Sequence, residues 1–206
     1  MNTPIILATR NPGKVREMEA ILAGLPIELR SLLTMPGLPE VIEDGSTFQS
    51  NALKKARAVH DAAGLPALAD DSGLEVDALG GEPGIYSARY AGEDATYSDN
   101  NTKLLKNMEG VAAGRRKARF RCVIALVAPN LQVTAEGVCP GRIITEEKGT
   151  GGFGYDPLFV PDGYDLTFAQ LPPEVKNRIS HRAIALSLIR NELRNYLDHQ
   201  RFVKKS

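Results

Sequence analysis

Apolar residues follow two different periodicities in the first third of the chain. Short apolar runs at residues 4–8 and 27–32 predict strands. Apolar residues three and four positions apart predict helices over residues 13–23 and 46–63. A loop with two prolines and two glycines, residues 33–45, separates the second strand from the second helix. Strands and helices therefore succeed one another, as in α/β proteins.

The rest of the chain continues this pattern less regularly. The predicted elements are short strands at 66–69 and 73–79, a polar helix at 96–109, a hairpin of strands at 117–128 and 131–139, a short strand after the glycine-rich loop 149–157, and a helix from about 180 to 197. Because strands and helices alternate only in part, the pattern predicts an α/β fold with a mixed sheet. We expect a single domain over residues 1–206.

Composition narrows the classes of partner. The 206 residues include 25 basic and 25 acidic side chains, so no basic excess indicates a general binder of nucleic acid or of anionic membranes. The two cysteines, Cys122 and Cys139, match no zinc or redox spacing and are expected to be buried thiols. The N-terminus lacks a signal-peptide pattern and no apolar run is long enough to span a membrane, so we expect a cytoplasmic protein.

The first strand runs into Thr-Arg-Asn-Pro-Gly-Lys at the start of a predicted helix. Backbone N–H groups at a helix N-terminus, together with Thr9, Asn11 and Lys14, could bind a polyphosphate, and Gly13 allows close approach. The pattern is not that of a P-loop. A capping asparagine followed by a solvated lysine explains the same residues equally well.

Lys55 and the pair Asp70-Asp71 add to the case for a phosphate site. At 100° per residue, Lys54 points away from the apolar stripe of its helix, whereas Lys55 lies at the edge of the stripe. Adjacent acids in an extended segment point to opposite faces, so one of them serves the site. The oxygens of Glu43, Asp70 and Asp71 suit Mg²⁺, although an Asx-turn or helix-capping role remains an alternative for one aspartate.

Two further segments carry candidate ligand-binding residues. The loop Gly-Thr-Gly-Gly-Phe-Gly-Tyr-Asp-Pro presents Phe153 and Tyr155, which we expect to be exposed and able to stack on a base. Ser180 is the expected N-cap of the last helix. His181 and Arg182 then lie in a first turn where the helix dipole disfavours cations, which indicates a ligand. A Ser-His-Asp hydrolase is not favoured, because no Gly-x-Ser-x-Gly elbow is present.

Five segments in this order resemble the non-canonical purine nucleoside triphosphate pyrophosphatases, the inosine/xanthosine triphosphate pyrophosphatase family. They span residues 5 to about 195 and are LATRNPGK, NALKKA, ADDSGLEVDALGGEPGIYSARYAG, GTGGFGYDPLF and SHRAIAL. The resemblance implies Mg²⁺-dependent hydrolysis of ITP, dITP or XTP to the monophosphate and pyrophosphate. It also implies an elongated mixed β-sheet with flanking helices, two inseparable lobes around a central cleft, and a homodimer.

The resemblance also implies roles for individual residues. Asp71 would be the general base, and Glu43 and Asp71 would lie at the metal. Phosphates would be bound by Thr9, Arg10, Asn11, Pro12, Gly13, Lys14 and Lys55, and Ser72 would contact the substrate. The base pocket would consist of Phe153, Gly154, Tyr155, Asp156, Lys176, His181 and Arg182.

Two departures from the family pattern and two alternatives accompany this interpretation. Relatives can carry an acid at the position of Ser50, and the tail 198–206 extends past the family core without an assigned role. A nucleotide-binding regulator without chemistry is an alternative that the intact Asp71, Lys14 and Lys55 argue against. An RNA-binding module that uses Phe153 and Tyr155 is disfavoured by the zero net charge.

Overall fold

The computed structural model of the chain describes residues 2–39 and 41–203, and the side chains up to residue 200. Their contacts divide the chain into two compact units. The first contains the chain up to Asp71, Val123–Gly137, and the chain from Arg182 onward. The second contains Ser72–Cys122 and Val138–His181. Strands and helices occur in both units, so the α/β class predicted from the sequence is confirmed.

The first unit begins with alternating strands and helices. Its complete elements are β1 (Thr3–Leu7), α1 (Pro12–Leu22), β2 (Ile27–Ser31) and α2 (Phe48–Ala63). At the end of the chain, α5 (His181–Val203) belongs to this unit from Arg182 onward. Ile5, Ile6 and Leu7 are fully buried, as their continuous apolar run predicts. Arg190 of α5 donates to the carbonyl of Ile21 at 3.2 Å, which ties α5 to the end of α1.

Local capping explains where α2 begins and ends. Thr47 and Ser50 form a reciprocal capping box at its N-terminus, and Gly64 at φ 65° closes its C-terminus by donating to the carbonyl of His60. The buried stripe of this helix consists of Phe48, Asn51, Ala52, Lys55, Ala56 and Val59. Two of these six residues are polar, which makes this stripe unlike an ordinary core-facing surface.

The second unit has its own hydrophobic core. Its complete elements are α3 (Tyr97–Asn107), β6 (Phe159–Pro161) and α4 (Pro173–Ile179). Phe120, Phe159 and Phe168 pack together with ring centroids 4.7 to 5.9 Å apart. Edge and offset contacts of this kind stabilise beyond the burial of area alone. Cys139 belongs to this core, and both cysteines are buried thiols as the sequence predicts.

The strands form one mixed sheet in the order β2-β1-β3-β4-β5-β6. The other strands are β3 (Ala67–Val76), β4 (Lys117–Ala128) and β5 (Leu131–Ile143). β1 is parallel to β2, with Thr3 opposite Ile27, and parallel to β3, with Leu7 opposite Leu68. β5 and β6 are antiparallel. The turn between β4 and β5 places Asn130 at φ 58°, a conformation that asparagine tolerates.

Several sequence-based boundaries differ from the structure. The predicted strands 66–69 and 73–79 are replaced by one strand, β3 (Ala67–Val76), because Asp70, Asp71 and Ser72 continue the extended backbone instead of interrupting it. Residues Asp77–Leu79, predicted as strand, form a short 3-10 helix. Helix α4 was not predicted, since seven residues between Pro172 and Ser180 give little periodicity. Helix α5 continues past Leu197 to Val203, whereas residues 204–206 of the tail lie outside the described part. No helix among the described residues is long and apolar enough to span a membrane.

Candidate functional site

The candidate phosphate-binding segment follows β1, and the two adjacent aspartates lie within the neighbouring parallel strand β3. Within the first unit, Leu7 of β1 lies opposite Leu68 of β3, and the N–H of Ala8 donates to the carbonyl of Leu68 at 2.8 Å. The chain leaves β1 at Ala8 to form α1, while β3 continues to Asp70 and Asp71. In α/β sheets, ligands bind at the carboxyl ends of parallel strands where connections diverge.

Asp70 is the centre of a buried network of charges in the first unit. Its Oδ1 lies 3.1 Å from the Lys14 ammonium, and its Oδ2 accepts from Nη2 and Nε of Arg182 at 2.8 and 3.2 Å. Arg182 also pairs with Glu17 of α1. Burial by itself would raise the pKa of Asp70, but Lys14 and Arg182 outweigh it and hold this pKa far below its usual range. Asp70 therefore stays ionised.

Asp71 takes part in a second set of contacts in the same unit. Its Oδ1 lies 3.2 Å from the Lys55 ammonium, and its Oδ2 accepts from Nδ2 of Asn51 at 3.1 Å. Lys55 also pairs with Glu43 and donates to the carbonyl of Asp70 at 2.6 Å. Burial raises the pKa of the Asp71 carboxyl above its ordinary value, with Lys55 acting in the opposite direction. A buried carboxylate with a raised pKa has the basicity that proton abstraction requires.

Lys55 and its neighbour Lys54 differ as their helical positions predict. Lys54 is exposed and pairs with exposed Asp44 at 2.6 Å. Lys55 is buried, and burial would lower its pKa, yet the carboxylates of Asp71 and Glu43 raise it above the ordinary lysine value. Lys55 is thus a permanently charged ammonium between two carboxylates. The predicted difference in burial between the two lysines is confirmed.

The N-terminus of α1 has an asparagine cap. Oδ1 of Asn11 accepts from the N–H groups of Gly13 and Lys14 at 2.9 and 3.2 Å, and Thr9 Oγ1 accepts from the Asn11 N–H. Pro12 occupies the first helical position, where its missing N–H costs nothing. In this structure Asn11 is therefore a helix cap, as the alternative interpretation expects. Its side chain accepts from two of the N–H groups that were expected to bind phosphate.

Arg10 and Lys14 point their charges to different partners. The guanidinium of Arg10 donates to the carbonyls of Leu32 and Leu38, at 3.0 and 3.2 Å, and so ties down the segment after β2. Lys14, by contrast, is held by Asp70 with a side chain 16% exposed. The phosphate-binding assignments of Thr9 through Lys14 stay predictions. Of the two cations in this segment, Lys14 is the one that contacts Asp70.

The carboxylates of Glu43 and Asp71 suit a divalent cation. Both contact the Lys55 ammonium, so their oxygens lie within reach of one point. Residues 2–39 and 41–203 contain no group of three or more potential metal-ligating side chains. Mg²⁺ needs only one or two carboxylates when phosphates and water complete its coordination.

In the second unit, Asp156 organises the glycine-rich loop. This carboxylate is 2% exposed, accepts the Phe153 N–H at 2.8 Å and pairs with the Lys176 ammonium. Lys176 also lies over the rings of Phe153 and Phe168, 4.9 and 5.4 Å from their centroids. A Cβ on Gly152, which has φ 70°, would come within 2.0 Å of Asp156 Oδ2. Only glycine allows the loop to close on Asp156 in this way.

The aromatic residues of this loop differ in exposure. Phe153 is half-buried, with its ring 6.1 Å from that of Tyr97. Tyr155, expected to be exposed, is buried, and its hydroxyl donates to the carbonyl of Ser87 at 2.9 Å. The expectation failed for Tyr155 because its ring joins the apolar core of the second unit. Phe153 is therefore the better candidate for stacking on a base.

The remaining candidates belong to the second unit. Gly154, at φ 62°, accepts a hydrogen bond from Asn101, and half-buried Ser72 follows Asp71 in β3. His181 is buried and stacks on Phe120, with centroids 4.7 Å apart and ring planes 13° from parallel. The N–H of Ser180 donates to the carbonyl of Lys176 and closes α4, and α5 begins at the next residue. The predicted base-pocket roles of these residues stay predictions.

The sequence profile of the Ham1 family matches residues 5–192. The chain belongs to the Ham1 family. A protein from Geobacter sulfurreducens named dITP/XTP pyrophosphatase is 54% identical over 93% of this chain and 96% of its own length. One of the same name from Geobacillus kaustophilus is 50% identical over 89% and 90%. The Ham1 protein structures from Staphylococcus aureus and Coxiella burnetii have TM-scores of 0.82 and 0.83, with 39% and 41% identity. The match covers 94% of this chain in both cases, together with 100% of the Staphylococcus aureus protein and 99% of the Coxiella burnetii protein.

Two residues of this Ham1 chain that contact the site were missed from the sequence. Glu17 pairs with Arg182, and Asn51 donates to Asp71. Asn51 did carry a signal, because it lies four residues before Lys55 on the buried stripe of α2 and is itself polar. Glu17 carried a weaker signal, three residues after Lys14 on α1, and its partner Arg182 is 165 residues away in the chain.

Proposed function

We propose that the chain is a Mg²⁺-dependent nucleoside triphosphate pyrophosphatase that hydrolyses ITP, dITP and XTP to the monophosphate and pyrophosphate. Its membership of the Ham1 family and its relatives named dITP/XTP pyrophosphatase make it a hydrolase of non-canonical purine nucleotides. The choice among these substrates and the requirement for magnesium are the parts that experiments must test. Removal of deaminated purines from the nucleotide pool follows as the cellular role.

The observation that carries the proposal is the separation of Asp70 and Asp71 into two sets of contacts. Asp70 is fully engaged by Lys14 and Arg182, whereas Asp71 is held by one lysine and one neutral amide. Asp70 thus serves as an ionised anchor and Asp71 as the carboxylate able to take a proton. Lys14 and Lys55, beside these two aspartates, supply the positive charge that a triphosphate requires.

Hydrolysis by this arrangement needs a positioned water and a proton acceptor. The water oxygen forms a bond to the α-phosphorus while a proton passes from the water to Asp71. The bond between the α-phosphorus and the bridging oxygen breaks, and pyrophosphate leaves with the electron pair. Lys14 and Lys55 stabilise the charge that grows on the phosphate oxygens, since fixed charges in a buried site act more strongly than they do in water.

Glu43 and Asp71 would hold the magnesium ion. Hard carboxylate oxygens are the ligands that Mg²⁺ prefers. When bound, the ion would acidify the attacking water and neutralise phosphate charge. Lys55, which pairs with both carboxylates in this structure, would then be released to contact a phosphate oxygen.

We assign recognition of the base to the loop of the second unit. Phe153 offers its ring face, while Lys176 offers an ammonium whose direction Asp156 fixes. A cationic donor favours the 6-oxo group of hypoxanthine or xanthine. The 6-amino group of adenine is itself a donor. Facing the ammonium, it leaves both donors without an acceptor. A homodimer and a cytoplasmic location, implied by the resemblance, complete the proposal, and light scattering after gel filtration tests the first.

A substrate screen tests the proposal. Pyrophosphate release would be measured for ITP, dITP, XTP, ATP and GTP, with Mg²⁺ or with EDTA, and products would be separated by ion exchange. We expect IMP and pyrophosphate from ITP, little product from ATP, and none with EDTA. Reaction in ¹⁸O-water should place the label in IMP. Tight binding of ITP without turnover would instead support the nucleotide-binding regulator.

A further inference from the structure

Asn51 connects the segment that carries Glu43 to the carboxylate of Asp71. It is only 1% exposed, and both ends of its amide are engaged within the first unit. Nδ2 donates to Asp71 Oδ2 at 3.1 Å, and Oδ1 accepts the N–H of Gly45 at 2.8 Å. Gly45 lies two residues after Glu43. A single buried side chain therefore joins the two segments that carry the candidate metal-binding carboxylates.

We propose that Asn51 is a positioning residue that fixes the orientation of Asp71 and its distance from Glu43. The inference rests on the proposed function, since it concerns the same two carboxylates. Asn51 contacts Oδ2 of Asp71 and Lys55 contacts Oδ1, so each carboxylate oxygen has its own donor. Because Asn51 is uncharged, it orients Asp71 without neutralising it. Partners of ligating carboxylates commonly act in this way.

The packing around Gly45 shows that this connection has little freedom. A Cβ built on Gly45 would lie 2.5 Å from Asn51 Oδ1 and 2.3 Å from Ser50 Oγ. Ser50 itself is fixed by the capping box with Thr47. The segment before α2 is therefore held at one end by the helix cap and at Gly45 by Asn51. A methyl group on Gly45 would clash with Asn51 Oδ1 and Ser50 Oγ, so it should break this contact without removing the Asn51 side chain.

The experiment uses the full-length protein with Asn51→Ala and Gly45→Ala. Steady-state kinetics with ITP and Mg²⁺ would give kcat and KM separately, and electron paramagnetic resonance would measure Mn²⁺ binding without nucleotide. For Asn51→Ala we expect kcat to fall roughly 10- to 100-fold and Mn²⁺ affinity to weaken about tenfold. KM for ITP should stay within about threefold of wild type, because the side-chain amide of Asn51 contacts Asp71 and Gly45, neither of which is a proposed phosphate ligand.

Asn100→Ala is the matched control. Asn100 is 2% exposed and also joins two segments, accepting from the Ala91 N–H at 2.7 Å and donating to the carbonyl of Ala88 at 3.0 Å. We expect a lower melting temperature for this variant with unchanged kcat and Mn²⁺ affinity. An equal loss of kcat in Asn100→Ala would reduce Asn51 to a purely structural residue and overturn the inference.

Three further outcomes test the role of Asn51 and separate it from the proposed function. Wild-type kcat and Mn²⁺ affinity in Asn51→Ala would overturn the inference. If circular dichroism shows that Asn51→Ala is unfolded, Gly45→Ala decides in its place by the same two measurements. A wild-type protein that releases no pyrophosphate from ITP or dITP would refute the proposed function. Comparison of Mn²⁺ binding would then still confirm or overturn the role of Asn51.

Discussion

The carboxylates of Asp70 and Asp71, neighbours in β3, contact different partners. Asp70 binds Lys14 and Arg182, whereas Asp71 binds Lys55 and Asn51. This follows from the extended backbone, which sends adjacent side chains to opposite sides. It also produces opposite effects on acidity, because the two cations lower the pKa of Asp70 while burial raises that of Asp71. Two identical residues thus acquire different chemistry from their surroundings.

Replacement of Asp71 by asparagine should abolish turnover and preserve binding. The amide keeps the shape of the side chain but loses its basicity and its charge. We expect kcat to fall by roughly 10²- to 10⁴-fold, the range typical of a lost general base. Single-turnover rates and calorimetric ITP affinity would be compared with wild type. Near-normal turnover would remove Asp71 from the role of base.

Lys55→Ala should impair catalysis far more than Lys54→Ala. Loss of Lys55 leaves the carboxylates of Glu43 and Asp71 without their common cation, and Lys55 is also the proposed phosphate ligand. Lys54 pairs with exposed Asp44, and exposed ion pairs contribute little. We expect at least about a 100-fold loss in kcat/KM for Lys55→Ala and less than about twofold for Lys54→Ala. Similar losses in the two variants would contradict the assignment of Lys55.

Asp70 should make the stability of the protein depend on pH. Its pKa lies far below the usual range when folded, and is about 3.9 when unfolded. A depressed folded-state pKa contributes stability that is present above the unfolded pKa and is lost as pH falls towards the folded one. Wild type should therefore lose free energy of unfolding as pH falls below about 5.

Asp70→Asn tests this dependence. Removing one partner of a buried ion network costs about 3–5 kcal/mol, so the variant should be much less stable at pH 7. Its stability should also fall less steeply with decreasing pH. Urea unfolding between pH 7 and pH 3 would measure both effects, with Asp44→Asn as an exposed control that changes little. A slope as steep as that of wild type would place the acid sensitivity elsewhere.

Particular residues show how much the sequence predicted. The periodicity of α2 identified Lys55 correctly as the inward lysine, and the extended segment placed Asp70 and Asp71 on different sides. Burial of Tyr155 was not predictable from a glycine-rich loop, because it depends on the core of the second unit. The pairing of Glu17 with Arg182 joins residues 165 apart, and no local pattern records such a contact.

The last prediction concerns Arg182, which the sequence assigns to base recognition. In the structure, its guanidinium is 1% exposed and donates to Asp70 and Glu17. These contacts favour a scaffold role in which Arg182 fixes Asp70 and, through it, Lys14. On this basis Arg182→Ala should lower kcat/KM for ITP and ATP by similar factors, on the order of tenfold or more. It should also reduce stability, because buried Asp70 and partly buried Glu17 each lose a cationic partner. Glu17→Gln should give a weaker version of the same parallel loss.

Steady-state kinetics with both nucleotides, together with urea unfolding, would measure these effects. A selective loss for ITP, with ATP unchanged and Glu17→Gln silent, would show instead that Arg182 contacts the base, as the family resemblance implies.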